Sequence, residues 1–419
     1  MKYAVVGFGT AGYHAVKKIR ELDKEGCIDV YSNTGRAPYN PMLTTYYAFG
    51  KLEYEGMFPF GDLEQIQKEV DFNLRREQVI KVHGSEHLVE TENGSEQYDR
   101  ILIATGARAF APPVKGLEPE DAFLMRTVED ALRFKDRLKK NDIKHAVVIG
   151  ASMAGIKVVE VLHKYGIETW LLDLASYIFP LAAYKEVAKE IEKRVEAQGV
   201  HLMFGVTIDH MEQENGEKTA VLTDGSRIPA DIVGLCIGTR AITETVQGEV
   251  EIGRGIVVDD HMRTSVPGIY AAGDCCEGNN LESGQNQIIG LWANANHQGE
   301  TAGINMAGGD MAYKGNILHN ITHFMNMDFI GFGDNRMQGE VLEYGSLSED
   351  LYIRLVLDGK RIVGANILDN YRVSGIIKNY MLRLFDGEKF VLPDYQRAML
   401  VKAGLSVPFI DEVEEKIHG

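Results

Sequence analysis

The chain has 419 residues, enough for two or three domains at roughly 150 residues each, with a globular composition of 45% hydrophobic and 25% charged residues. A formal net charge of −17 argues against nucleic acid and anionic membrane as partners. No apolar run approaches the roughly 18 residues that a membrane span needs, and four cysteines (Cys27, Cys236, Cys275, Cys276) are too few for a disulfide scaffold, which points to a reducing cytoplasm.

The first element is a short apolar strand, Tyr3–Val6, which runs straight into Gly7-Phe8-Gly9-Thr10-Ala11-Gly12. That stretch is too short for a signal peptide and reads as a buried strand before a turn. A helix from about Tyr13 to Leu22 and a strand at Ile28–Tyr31 complete a βαβ start. A further strand, Arg100–Ala104, precedes Ala111-Pro112-Pro113, where the chain is expected to pass into a second domain. Arg133, Lys135, Arg137, Lys139 and Lys140 form a candidate basic docking patch, although a solvated helix face is the plainer reading.

The opening plan then repeats. Ala146–Ile149 is followed by Gly150-Ala151-Ser152-Met153-Ala154-Gly155, a helix to about Tyr165 and a strand at Thr169–Leu172. Strand Ile232–Ile237 and the turn Gly238-Thr239-Arg240 mark the return to the first domain. From Gly315 the texture changes: Tyr352–Leu357, Gly359-Lys360 and Arg361–Ile367 predict a β-hairpin, and helical patterning covers Val373–Phe385. The last apolar run is Leu400–Ile410. His319 and His323 are four apart and could share a helix face, but no Glu or Cys completes a metal site. They are expected to be core or interface residues, and no metal is expected.

The spacing Gly7-x-Gly9-x-x-Gly12, directly after a strand and opening a helix, predicts a dinucleotide site. The first glycine turns the chain, the second admits a pyrophosphate and the third lets helix and strand pack closely, while the helix N-terminus offers N–H donors. In the second copy Ser152 stands where the middle glycine would be, with Gly150 and Gly155 in place. Asp173 ends the following strand, where a carboxylate accepts hydrogen bonds from an adenosine 2′-hydroxyl and repels a 2′-phosphate; this favours NADH over NADPH. A third feature, Gly268-Ile269-Tyr270-Ala271-Ala272-Gly273-Asp274, can offer a carboxylate to a polyol and a backbone N–H to a phosphate.

Taken together with Pro38-Tyr39-Asn40-Pro41-Met42-Leu43, Ala104-Thr105-Gly106-Ala107-Arg108, Cys236-Ile237-Gly238 and Leu291-Trp292-Ala293-Asn294-Ala295, these motifs resemble the FAD/NAD(P)-linked reductases of the pyridine nucleotide–disulfide oxidoreductase class. The nearest subgroup is that of rubredoxin and ferredoxin reductases and the flavin portion of nitrite reductases. The resemblance covers residues 1–310 strongly and the remainder weakly. It implies an α/β fold with two Rossmann-like three-layer nucleotide-binding domains, the NAD domain inserted into the FAD domain, followed by a C-terminal α+β domain. The expected boundaries are 1–112 with 241–312 for FAD, 113–240 for NAD, and 313–419 for the C-terminal domain, which would mediate a homodimer.

The resemblance also implies roles. Gly7, Gly9, Thr10, Ala11 and Gly12 would hold the FAD pyrophosphate, Gly273 and Asp274 its ribityl chain and phosphate. Thr105, Gly106 and Arg108 would lie beside the adenosine half, with Asn33, Arg36 and Pro41 also at the flavin site. Trp292 would lie near the isoalloxazine. Gly150, Ser152, Gly155 and Asp173 would hold NADH, and Gly238 would line the nicotinamide's approach. Ser32-Asn33-Thr34 replaces the carboxylate that relatives carry there, and their Lys–Glu pair beside the flavin becomes Thr45 and Lys157. Lys157 is therefore expected either to approach flavin N5 or to be a surface lysine. No cysteine lies near Asn33–Leu43, so a thiol relay from the family position is not expected, and Cys275-Cys276 reads as two buried thiols. NADH would reduce the flavin, which would pass electrons to a redox carrier protein. The alternatives are a small-molecule acceptor and a signalling or scaffolding flavoprotein.

Overall fold

The computed structural model describes every residue except Asp350. It divides into two units, Met1–Arg108 with Thr239–Asn316, and Ala109–Gly238 with Ile317–Gly419. The stretches expected as separate NAD-binding and C-terminal domains thus belong to one unit.

The first unit is built on a parallel five-stranded sheet in the order Ile269–Ala271, Arg100–Ile103, Lys2–Val6, Cys27–Tyr31, Asn73–Arg75. Its central strand has Tyr3, Ala4 and Val5 fully buried, the pattern of a strand covered on both faces. Helix Thr10–Leu22 lies along helix Trp292–Met306 at very close range. A Cβ on Gly299 would stand 2.2 Å from the Ala11 carbonyl oxygen, and one on Gly303 would stand 2.6 Å from that of Ala15. Two glycines one turn apart therefore let the backbones meet.

The second unit carries another parallel sheet, ordered His201–Phe204, Glu168–Asp173, His145–Ile149, Ile232–Leu235, Ala122–Phe123. It also holds an antiparallel sheet ordered His319–Phe324, Met327–Gly333, Arg361–Leu368, Tyr352–Asp358, Glu340–Gly345. The expected hairpin is present, with Asp358 paired to Arg361 across its turn. Helices Ser374–Phe385, Asp394–Lys402 and Val407–His418 follow, the first packing on strand Arg361–Leu368. Fully buried Asn366 ties the antiparallel sheet to the loop before helix Lys185–Glu196. It donates to the Ala182 carbonyl at 2.9 Å and accepts the Tyr184 N–H at 2.7 Å. Arg194 adds a 2.5 Å ion pair to Asp369.

Two expectations are corrected. His319 and His323 share a face of a strand, not of a helix. The basic residues keep to the plainer reading, a solvated helix face with local ion pairs: Arg133 meets Asp130 at 3.8 Å, Lys139 meets Asp136 at 2.7 Å, and Arg137 is bound to Asp142. Lys157 is treated with its site below.

Candidate functional site

The opening turn has the geometry its spacing requires. Gly7 sits at φ +104°, where a Cβ would lie 2.3 Å from the Ala104 carbonyl oxygen, and a Cβ on Gly12 would lie 2.2 Å from that of Gly7. Gly9 faces open space, and no side chain caps the helix that begins at Thr10. An uncapped helix N-terminus beside an open glycine is a site for a pyrophosphate, whose oxygens take the orphan N–H groups and the positive dipole end.

Other expected residues gather around this turn. A Cβ on Gly273 would stand 3.1 Å from that of Ala11, and the Gly273 N–H donates to Gln298 Oε1 at 2.9 Å. Gly290, with Asp274 3.9 Å from where its Cβ would stand, precedes the helix that begins at Trp292, and Thr10 is hydrogen-bonded to Asn296 of that helix. Thr105 donates to the Ile242 carbonyl at 2.6 Å, and Gly106 at φ +70° faces open space. Arg108 is paired at 2.5 Å with Glu244, so its charge is already balanced; the pairing raises the guanidinium's pKa and lowers the carboxylate's. Asn33 donates to Gln78 at 2.8 Å and Arg36 to the Tyr54 hydroxyl at 2.6 Å. The Pro41 carbonyl accepts the Thr44 hydroxyl at 2.6 Å within its own turn.

Half-buried Trp292 stacks on Phe60 at 5.6 Å and 14°, and Phe60 stacks on Tyr13 at 4.3 Å. The indole N–H is shut off from solvent and has no partner among the described residues, which fits a site completed by a ligand. Phe60 and Gln298 lie outside the motifs, and Tyr13 was read only as the start of a helix; all three meet the site through folding. Cys275 and Cys276 are free, buried thiols, the first 3.3 Å from the carbonyl oxygens of Ile103 and Ala272.

The second turn repeats the first. Gly150 sits at φ +104° with its would-be Cβ 2.3 Å from the Cys236 carbonyl oxygen, and a Cβ on Gly155 would lie 1.9 Å from the Gly150 oxygen. Burial pushes the Cys236 thiol up to about 12, leaving only its backbone to take part. Here the helix is capped: Ser152 Oγ accepts the Gly155 N–H at 3.3 Å and donates to the Cys236 carbonyl at 3.1 Å. Asp173 accepts the Ala151 N–H at 2.7 Å and the Ala175 N–H at 2.8 Å, which fixes its carboxylate at the turn with further lone pairs free for hydroxyls. Gly238, at φ +102°, has open space where a side chain would stand.

Lys157 is not the surface lysine of one expectation. It is buried, and its ammonium is bound by Glu160 and donates to the His323 carbonyl at 2.8 Å, while Glu160 accepts the Met325 N–H at 3.1 Å. It is a rivet between helix Met153–Lys164 and the antiparallel sheet. Thr45, at the other position of the lost pair, is buried and donates to the Met42 carbonyl at 3.2 Å.

Residues 1–299 match the pyridine nucleotide-disulphide oxidoreductase family. The chain is 27% identical over 394 residues to the epsilon subunit of the NADH-dependent phenylglyoxylate dehydrogenase of Aromatoleum evansii, covering 92% of each chain. It is 24% identical to an NADH oxidase of Methanocaldococcus jannaschii, covering 92% of this chain and 91% of that one. The water-forming NADH oxidase of Lactobacillus brevis shares the fold at a TM-score of 0.85 and 22% identity, over 96% of this chain and 99% of that one. With two glycine cradles whose geometry admits dinucleotides and a family match over most of its length, the chain belongs to the pyridine nucleotide-disulphide oxidoreductase family, as a flavoprotein oxidoreductase whose cofactors are FAD and NAD(H).

Proposed function

We propose that the protein is an NADH:acceptor oxidoreductase that passes electrons from NADH to a redox carrier protein such as a rubredoxin or ferredoxin. The observation that carries this reading is the placing of the thiols. Cys27 is exposed on a strand of the first sheet, the other three cysteines are buried, and the segment Asn33–Leu43 has none, so no thiol stands at the family position to take two electrons. The Aromatoleum relative, a subunit of a larger dehydrogenase, favours a protein partner. The Methanocaldococcus relative favours a second reading, a small-molecule acceptor such as dioxygen.

FAD, when bound, supplies the chemistry of accepting hydride and releasing electrons. In this reading the residues position it. The Gly7–Gly12 turn and the uncapped N–H groups after Gly9 hold its pyrophosphate, and Asp274 with Gly273 holds the ribityl side. Thr105, Gly106 and Arg108, with Asn33, Arg36 and Pro41, line its remaining length. Trp292 flanks the ring. Gly150, Ser152 and Gly155 hold NADH, Gly238 leaves room for the nicotinamide's approach, and Asp173 takes the ribose hydroxyls and rejects a 2′-phosphate. A homodimer in the cytoplasm completes the reading. Free buried thiols suit a reducing compartment, and exposed Tyr395 and Met399 on helix Asp394–Lys402 offer apolar surface to a second copy. No described helix is long and apolar enough to cross a membrane.

Anaerobic titration with NADH in the stopped flow tests the proposal. Flavin bleaching by NADH, faster than by NADPH, followed by reoxidation on adding a carrier protein, is expected. Rapid NADH consumption in air without a carrier would replace the carrier with a small-molecule acceptor.

A further inference from the structure

Strand His319–Phe324 is an edge of the antiparallel sheet, and His319, Ile321 and His323 share one of its faces. Helix Ser374–Phe385 places Lys378 Nζ 3.0 Å from His319 Nε2, while His319 Nδ1 lies 3.3 Å from the Ile317 carbonyl oxygen. These contacts set the tautomer: Nδ1–H donates to Ile317, and Nε2 accepts from the ammonium. Burial lowers the pKa of Lys378, and no carboxylate among the described residues acts to raise it. Burial, then the neighbouring ammonium, pushes His319 down to about 4. The pair is thus a half-buried cation beside an imidazole whose protonation is disfavoured, with no counter-charge among the described residues. Partial burial carries a desolvation cost for the ammonium, and two of its three N–H donors have no partner among the described residues.

The position of the pair adds to its chemistry. Lys157 binds the His323 carbonyl and Glu160, further along the same helix, binds Met325. Later helix residues meet later residues of the strand and its turn. Moving back along the strand to His319 therefore moves toward the helix N-terminus, where the Gly150–Gly155 turn lies. Gly375, one turn before Lys378 on its helix, leaves open space where a side chain would stand.

We propose that Lys378 and His319 form an oxyanion subsite at the nucleotide-binding end of this unit, taking a carboxylate or phosphate group of a bound molecule. The ammonium supplies the charge. The anion's field favours protonation of His319 at Nε2, which then turns from acceptor to second donor. The anionic group is either the pyrophosphate of the dinucleotide or an acidic group on another molecule.

The test uses the FAD-loaded protein with inorganic phosphate as probe, at ionic strength held constant with chloride. At ten times its dissociation constant, phosphate should raise the thermal midpoint by about 1–2 °C. Lys378→Met should lose that rise while its midpoint in chloride stays at or above that of the parent, because an uncompensated half-buried cation has been removed. A lysine with a purely structural role would instead lower the midpoint. In the parent protein, phosphate should also move the His319 NMR signal toward its protonated position, a readout that needs no variant. No phosphate-specific rise, a rise retained in Lys378→Met, or an unmoved His319 signal would each overturn the proposal. Repeating the titration with saturating NAD+ separates the sources. If the phosphate response disappears, the subsite serves the dinucleotide; if it persists, it serves another anion.

Discussion

The two glycine turns are nearly the same backbone put to different use. Gly7 and Gly150 share a φ of +104°, a Cβ on either would stand 2.3 Å from a carbonyl oxygen, and the third glycine of each turn leaves no room for a Cβ of its own. The N–H of each first glycine binds the strand that follows, Gly7 to Tyr31 at 2.9 Å and Gly150 to Leu172 at 2.7 Å. The difference lies in the side chains. The first helix starts bare and its strand ends in neutral Ser32-Asn33, whereas the second is capped by Ser152 and its strand ends in Asp173. After the third glycine the helices diverge again. The first buries itself against a helix through Gly299 and Gly303, and the second is riveted to a sheet by Lys157 and Glu160. One backbone turn thus carries two different sets of side chains, and those side chains decide what each helix leans on.

Five substitutions probe that contrast. Gly12→Ala would bring a Cβ to 2.2 Å from the Gly7 oxygen and should abolish FAD binding, read as loss of the yellow absorbance. Gly155→Ala, with its 1.9 Å clash, should leave flavin bound but prevent its reduction by NADH. If both variants lose flavin, the two cradles are not independent. Lys157→Met leaves Glu160 buried without its cation and should cost about 3–5 kcal/mol in chemical denaturation, with the flavin spectrum unchanged. A changed flavin potential there would return Lys157 to a redox role.

In the proposed reading, Asp173→Ala removes an acceptor for ribose hydroxyls and a charge that repels 2′-phosphate. At about 1–3 kcal/mol this would shift the NADH to NADPH ratio of kcat/KM by roughly 5- to 150-fold. An unchanged ratio would deny Asp173 its part in nucleotide choice. Ser152→Gly should have the smallest effect, since glycine caps cost only a few tenths of a kcal/mol. Losing the Ser152 contact to the nucleotide should raise KM for NADH by about two-fold; a fall would mean that Ser152 only caps the helix and withholds an N–H from the pyrophosphate.

Much of this was legible because glycine spacing and buried parallel strands leave strong local signals. Gly7–Gly12 and Gly150–Gly155 announce their turns, and Tyr3–Val6 and Ala146–Ile149 are apolar without alternation. The hairpin was legible through Gly359-Lys360. His319 and His323 misled because a spacing of four returns a side chain to the same face of a helix and of a strand alike. Ser152 read as a tolerated intruder because a cap is recognised only once the N–H it accepts is in place. Lys157 was opaque because its carbonyl partner at His323 is distant in sequence, and no periodicity encodes such a contact. The basic patch could have been discounted from sequence, since Asp130, Asp136 and Asp142 are interleaved with it.

Asn366 has a consequence for how such a chain can change over generations. Its amide serves the carbonyl of Ala182 and the N–H of Tyr184 at once, so the sheet that begins at His319 is written partly in the alphabet of a loop far upstream. A C-terminal segment borrowed from a cousin would arrive without the matching letters. The two stretches of this unit are therefore expected to be inherited together, and their substitutions to travel in pairs.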